Sequence, residues 1–202
     1  MKRFKAIIFD LGGVLSVSNK FRGVHYFVAK KLGITLDQYL DSIDEIYSTA
    51  ITGTISSEKA LQMMAKNLNT TPKKLERFYI ESYKDNFKRD ETLYKLALSL
   101  KDKGYKISIC SDIWKVAKEA ILTKKYYGKF DDIVTSYSVG ARKTNPKIFK
   151  IALKRLGISP KEAIFTDNRA WNLVAPKRLG ITSILYKNPK QFIQELKKLK
   201  VI

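Results

Sequence analysis

One cysteine and one histidine are all that 202 residues hold of the side chains that most often build disulfides and transition-metal sites. With only Cys110, no intramolecular disulfide and no thiolate cluster can form; the residue falls in an apolar strand pattern and reads as a small core side chain. His25 cannot build a histidine-rich metal centre alone, and among Val24, Tyr26 and Phe27 it reads as a packing or pocket-lining residue. No apolar run approaches the roughly 20 residues that span a bilayer. The N-terminus also lacks the long apolar stretch of a secretory signal, so the expectation is a cytoplasmic protein with no membrane partner. Acidic residues are scarce: 19 against 39 Lys and Arg, a net charge of +20. Such a field favours anionic partners, phosphorylated metabolites or nucleic acid. The lysines are scattered in pairs such as Lys30-Lys31, Lys73-Lys74 and Lys197-Lys198, as on solvated helix faces. That distribution favours a small anion over nucleic acid.

What is present begins with Ile7-Ile8-Phe9-Asp10-Leu11-Gly12-Gly13-Val14-Leu15, an apolar run that delivers a carboxylate onto a glycine-bearing turn. Ala6 to Phe9 reads as a strand buried on both faces, which belongs inside a parallel sheet, where ligands gather at the carboxyl ends of strands. Residues 16 to about 88 read as entirely helical. Val24, Val28 and Leu32 share one face; Thr35 to Gln38 has capping-box spacing; Gly53 and Ser56 break and restart the chain; Thr71-Pro72 opens a fourth helix. From about residue 90, helices alternate with apolar runs at Lys106–Cys110, Asp132–Thr135, Ala163–Thr166 and Ile181–Tyr186. A helix is expected over roughly 115 to 125, a loop over Ser138 to Asn145, and a final amphipathic helix from Pro189 to Leu199. Such alternation predicts an α/β fold, a doubly wound parallel sheet with right-handed crossovers. Four helices inserted directly after the first strand predict a cap: residues 1–15 and 89–202 form the core, residues 16–88 the cap.

Asp10, Ser111, Lys143 and Asp167 each fall at or just beyond the carboxyl end of a successive strand. The four supply a nucleophilic carboxylate, a hydroxyl donor for an anion, a cation, and a second carboxylate able to share a hard metal with the first.

With IIFDLGGVL at 7–15, ICSD at 109–112, GARKTNPKIF at 140–149 and IFTDNRAWNLVAPKRLG at 164–180, the chain resembles haloacid dehalogenase superfamily hydrolases with a small helical cap, over nearly its whole length. Within that family it looks most like the sugar-phosphate phosphatase branch. The resemblance implies that Asp10 attacks phosphorus to form an aspartyl-phosphate, with Lys143 as the neutralising cation. It further implies that Ser111, Asp112, Gly12 and Gly13 surround the phosphoryl oxygens, and that Asp10, the Gly12 carbonyl, Asp167 and Asn168 hold Mg2+. The implied partner is a small phosphorylated substrate, the implied assembly a monomer or homodimer.

Three positions depart from the family pattern. Gly12 stands where many of its phosphatases carry the aspartate that protonates the leaving group, and glycine transfers no proton. This favours a leaving group that departs unaided, such as an anomeric oxygen. Asn168 replaces a common second acid, and Thr144 a common proline after the lysine. Two alternatives stay open, a haloacid dehalogenase and a relative that binds a phosphorylated ligand without hydrolysing it. Arg22, His25 and Tyr47 are candidate pocket-lining residues of the cap, with ordinary cap surface or core as the competing reading. Asn172 is expected to cap or brace its loop.

Overall fold

The computed structural model describes residues 3–18 and 23–202. The first apolar run forms β1 (Ala6–Phe9), buried at all four positions. Next come β2 (Ser16–Ser18), β3 (Phe87–Arg89), β4 (Lys106–Ser111), β5 (Asp132–Thr135), β6 (Ala163–Asp167) and β7 (Thr182–Leu185). Five of these form a parallel sheet in the order β5-β4-β1-β6-β7. The chain winds outward from β1 to β4 and β5, then returns to the other side of β1 for β6 and β7. Strand side chains alternate between faces, so the two faces bury different sets. Ile7, Phe9, Ile107 and Ile109 pack with Leu93, Leu100, Phe192 and Leu196. Ala6, Ile8, Cys110 and Val134 pack with Ile148, Phe149 and Leu153. Cys110 is free and buried, the core residue expected of it, and burial pushes its thiol well up.

The insertion between β2 and β3 contains α1 (Val24–Leu32), α2 (Leu36–Ala50), α3 (Ser57–Asn67) and α4 (Pro72–Asn86). Their starts follow local chemistry. Thr35 and Gln38 make the reciprocal capping box, while Ser56 and Thr71 accept from the backbone N–H groups of Lys59 and Lys74. The four helices share an apolar cluster of their own, which extends onto Trp114, Val116 and Ala117 of the α/β unit. Gly53, at φ +67°, lies so close to the main chain of Tyr137 that a Cβ would sit 2.5 Å from its carbonyl oxygen. Beside it the Ser136 hydroxyl donates to the Ile51 carbonyl at 2.7 Å. The insertion thus docks on the α/β unit at two points.

The expectation of a wholly helical stretch over 16–88 is corrected. β2 and β3 pair antiparallel, Ser16 with Arg89 and Ser18 with Phe87. Both ends of the insertion meet beyond the carboxyl end of the central β1, where the Asp90 N–H donates to the Leu15 carbonyl at 2.9 Å, and proximity pairs their backbones without an apolar alternation to announce it. Beyond the ribbon lie α5 (Glu91–Asp102), α6 (Lys115–Ile121), α7 (Lys124–Tyr127), α8 (Ser136–Val139), α9 (Pro146–Leu156), α10 (Val174–Arg178) and α11 (Pro189–Lys198). The single helix expected over 115–125 is two, because Leu122 leaves helical backbone at ψ 55° and Thr123 is extended. The loop expected from Ser138 begins instead within the short helix α8. Pro176 is the third residue of α10, within its first turn, where a missing N–H costs little. No helix among the described residues is long and apolar enough to cross a membrane.

Candidate active site

Strand register brings the acidic residues together. Phe9 is level with Thr166 of β6, so Asp10 and Asp167 leave the sheet side by side, tied by the Asp10 N–H donating to the Thr166 carbonyl at 2.9 Å. Ser111 closes β4 on the other side of β1. Lys143 follows the turn after α8 and reaches back over the strand ends. Its Nζ lies 2.7 Å from Asp10 Oδ1 and 2.6 Å from Asp167 Oδ2, with all three side chains buried.

One cation between two carboxylates, all three buried, sets the electrostatics. Burial pushes the Asp10 carboxyl up, Lys143 pulls it back and Asp167 pushes it again, leaving it at about 6. Burial alone would lower the Lys143 ammonium, but the two carboxylates outweigh it and hold it above the ordinary lysine range. Lys143 is therefore charged throughout the neutral range, and the unit carries one net negative charge when both acids are ionised.

Asp167 is fixed from three directions. Its Oδ2 also accepts from Asn172 Nδ2 at 3.0 Å, and its Oδ1 accepts the Arg169 N–H at 2.8 Å. Asn172, expected as a brace, braces Asp167 itself. Asp112 grips the other partner: its Oδ1 accepts the Lys143 backbone N–H at 2.9 Å, and its Oδ2 lies 3.5 Å from Arg142 Nε.

These residues surround a cavity of about 170 Å³ lined by Asp10, Gly12, Ser111, Asp112, Lys143 and Asn172, with Arg142, Thr144, Arg169, Trp171 and Phe87 also in its wall. Among the described residues, the N–H groups of Gly12, Asp112 and Ile113 donate to no backbone carbonyl. Together with the Ser111 hydroxyl they can receive an anion's oxygens. Trp171 is 61% exposed, with the Arg169 guanidinium 5.7 Å from its ring centre. Arg142, Arg169 and Trp171 were not expected as site residues; the available signal was their place inside the third and fourth motifs.

Three expected residues do not line the cavity. Asp167 is fully buried and meets the site through Lys143 and Asn172. The Gly13 N–H donates to the Ser16 carbonyl at 2.8 Å, closing the turn into β2, and is not free for a phosphoryl oxygen. The exposed Asn168 packs its amide over Gly13, 2.2 Å from where a Cβ would stand, and does not line the cavity. Asp112 does line it, but its carboxylate holds Lys143 and Arg142 in place, leaving only its N–H to face an anion. His25 and Tyr47 pack edge to face at 4.7 Å in the helical insertion and line no part of the cavity; Arg22 lies outside the described residues.

The haloacid dehalogenase-like hydrolase family matches residues 4–180. The chain is 25% identical over 205 residues to acyl-CoA dehydrogenase family member 10 of Mus musculus, covering 98% of this chain and 19% of that protein. It is 33% identical over 98 residues to glyceraldehyde 3-phosphate phosphatase of Pyrococcus furiosus, covering 48% of this chain and 41% of the relative. With pyrophosphatase PpaX of Bacillus velezensis it shares 28% over 190 residues, 89% of this chain and 81% of the relative. The chain thus spans about a fifth of the length of the mouse protein, and of the Sus scrofa bifunctional epoxide hydrolase 2 that it also matches. A predicted HAD-like hydrolase structure from Porphyromonas gingivalis superposes with a TM-score of 0.81 at 19% identity, over 98% of both chains. A magnesium complex of a HAD family enzyme from Bacteroides thetaiotaomicron superposes at 0.73 and 24%, over 92% of this chain and 94% of that one. The order of strands, the four residues gathered at their carboxyl ends and the match over residues 4–180 lead to one assignment: this chain belongs to the haloacid dehalogenase-like hydrolases.

Proposed function

We propose that the protein is a cytoplasmic, magnesium-dependent phosphomonoesterase acting on a small phosphorylated substrate, as a monomer or homodimer, with residues 16–88 as the cap over its site. The observation that carries this reading is Lys143, held 2.7 Å from Asp10 in a cavity of about 170 Å³ at the strand ends. With water occupying about 30 Å³ per molecule in the liquid, that space takes a phosphoryl group and little more. The phosphatases among the curated relatives support the same reaction class.

The donors suit magnesium. Asp10, Asp167 and the Gly12 carbonyl are hard oxygens, and this ion keeps several waters, so three protein donors suffice. Bound there, it would supply positive charge to the phosphoryl oxygens and the leaving group. The remaining steps belong to the chain. An Asp10 oxygen attacks phosphorus and the bond to the leaving oxygen breaks, giving an aspartyl-phosphate and an alkoxide that takes its proton from water, since Gly12 has none to give. Water then attacks phosphorus, the bond to Asp10 breaks, and inorganic phosphate leaves with the carboxylate restored. The Ser111 hydroxyl and the free N–H groups hold the phosphoryl oxygens, while Lys143 offsets the approach of two anions.

The test is p-nitrophenol release from p-nitrophenyl phosphate, with magnesium and with chelator, by the native protein and Asp10→Asn. Its leaving group departs without acid assistance, so Gly12 does not mask activity. Magnesium-dependent turnover lost in Asp10→Asn supports the reading. A folded protein inert with magnesium would instead favour a dehalogenase or a non-hydrolysing binder.

A further inference from the structure

Between the β2–β3 ribbon and the α6–α7 corner lies a second cavity of about 510 Å³. It shares Leu11 and Phe87 with the walls of the catalytic cavity, and no other residue. The larger one has two chemical zones. Leu11, Phe87, Ile121 and Tyr127 make an apolar floor; Lys84 and Lys88 stand exposed at the rim. Neither lysine forms an ion pair among the described residues. Arg89 also lines the cavity, but Glu91 matches its charge through two contacts of 2.8 Å, and its guanidinium lies 3.8 Å over the Tyr94 ring. Thr123 lies in the same wall, and its buried hydroxyl neither caps α7 nor finds another partner among the described residues.

Apolar surface gathered in a concave site gains by covering itself, and unpaired cations at its edge favour an occupant with an acidic head. We infer that this cavity is a second ligand site, separate from the catalytic one, for an amphiphilic anion whose apolar body covers Leu11, Phe87, Ile121 and Tyr127 and whose acidic head sits at the Lys84–Lys88 rim. The volume suits a medium-length alkyl chain or a small fused aromatic body. Uncharged amphiphiles gain only the floor, and cationic ones meet repulsion at the rim. Nothing in this inference depends on what reaction Asp10 performs.

The test is calorimetric titration of the full chain with decanoate, against decyltrimethylammonium as a probe of like tail and opposite charge. Decanoate is expected to bind one to one and the cation not at all. Lys84→Glu/Lys88→Glu is expected to weaken decanoate at least tenfold, since two charge-assisted contacts become repulsive. Ile121→Trp, which fills the floor, is expected to do the same; the charge variant, confined to exposed side chains, keeps the test valid if the tryptophan disturbs folding. Saturating inorganic phosphate with magnesium should leave decanoate binding within twofold. Absence of one-to-one binding, indifference to the charge reversal, equal affinity for the cationic probe, or competition by phosphate would each overturn the inference.

Discussion

Asp112 Oδ1 accepts the backbone N–H of Lys143 at 2.9 Å, joining the end of β4 to the residue that bridges Asp10 and Asp167. The bond spans 31 residues of sequence and fixes the height of Lys143 above the sheet. A charge-assisted bond of this kind contributes about 1.5–3 kcal/mol. Asp112→Ala should therefore cut kcat on p-nitrophenyl phosphate by about 10- to 100-fold, with Asp112→Asn falling between it and the native enzyme. A change confined to KM would mean that Asp112 acts on the substrate and not through Lys143.

Lys143→Met removes the cation that two buried carboxylates share. In chelator, the variant should lose about 3 kcal/mol of stability, the cost of leaving buried charge unpaired. Magnesium should then raise its Tm by more than it raises that of the native protein, because the ion replaces a missing charge. Equal magnesium shifts in the two proteins would argue that the metal binds away from Asp10 and Asp167.

Asp10, Ser111 and Asp167 were legible in the sequence because each ends or follows a buried apolar run, which fixes both the strand and the end at which its polar residue emerges; Lys143, beyond α8, was legible only through the motif that holds it. The partners of those residues were not. Asn172 lies five residues past Asp167, and only the 3₁₀ turn over Ala170–Leu173 swings it back onto that carboxylate. The ribbon was hidden for another reason: two three-residue strands pair because their ends are held together, a constraint that no local pattern carries. Capping side chains such as Thr35, Ser56 and Thr71 act within a few residues, and all three were readable as helix starts.

Gly13 is at φ +80°, with the Asn168 amide where a Cβ would go. Gly13→Ala should cost about 1–2 kcal/mol from the backbone conformation alone, plus the displacement of Asn168. Adding Asn168→Ala should recover the second part and not the first, as read from urea midpoints of the single and double variants. Full recovery would show that the backbone conformation costs nothing there.

His25 packs against Tyr39, Tyr47 and Tyr79 with its Nδ1 buried and unpartnered among the described residues. Burial pulls its pKa from 6.5 down to about 4, opposed by Asp44. Between those values the unfolded chain binds a proton that the folded one refuses, so stability is complete above pH 6.5 and declines as the pH falls toward 4. Allowing for partial exposure of the residue, the loss is about 2 kcal/mol. Urea unfolding from pH 4 to 8 should show this slope in the native protein and a shallower one in His25→Phe. Identical slopes would place the acid sensitivity elsewhere.

On the proposed reading the cavity of about 170 Å³ takes the phosphoryl group, and an aryl leaving group extends from it along its wall, where Trp171 stands 61% exposed. Loss of one aromatic contact of about 1 kcal/mol should raise KM for p-nitrophenyl phosphate about fivefold in Trp171→Ala with kcat nearly unchanged. An unchanged KM would mean that the leaving group takes another path out.

The pairing of Ser16 with Arg89 and Ser18 with Phe87 means that some seventy residues depart from and rejoin the α/β unit at neighbouring points. To the parallel sheet, that whole excursion is equivalent to a tight hairpin. The registration of Asp10 with Asp167 rests on the pairing of β1 with β6, outside that excursion, while the helices beyond the ribbon answer to the α/β unit where they pack on Trp114, Val116, Ala117 and Ser136. On the proposed reading, the part that selects a molecule and the part that cuts it therefore meet at one ribbon and one docking face, and sequence change in the insertion is free only away from them.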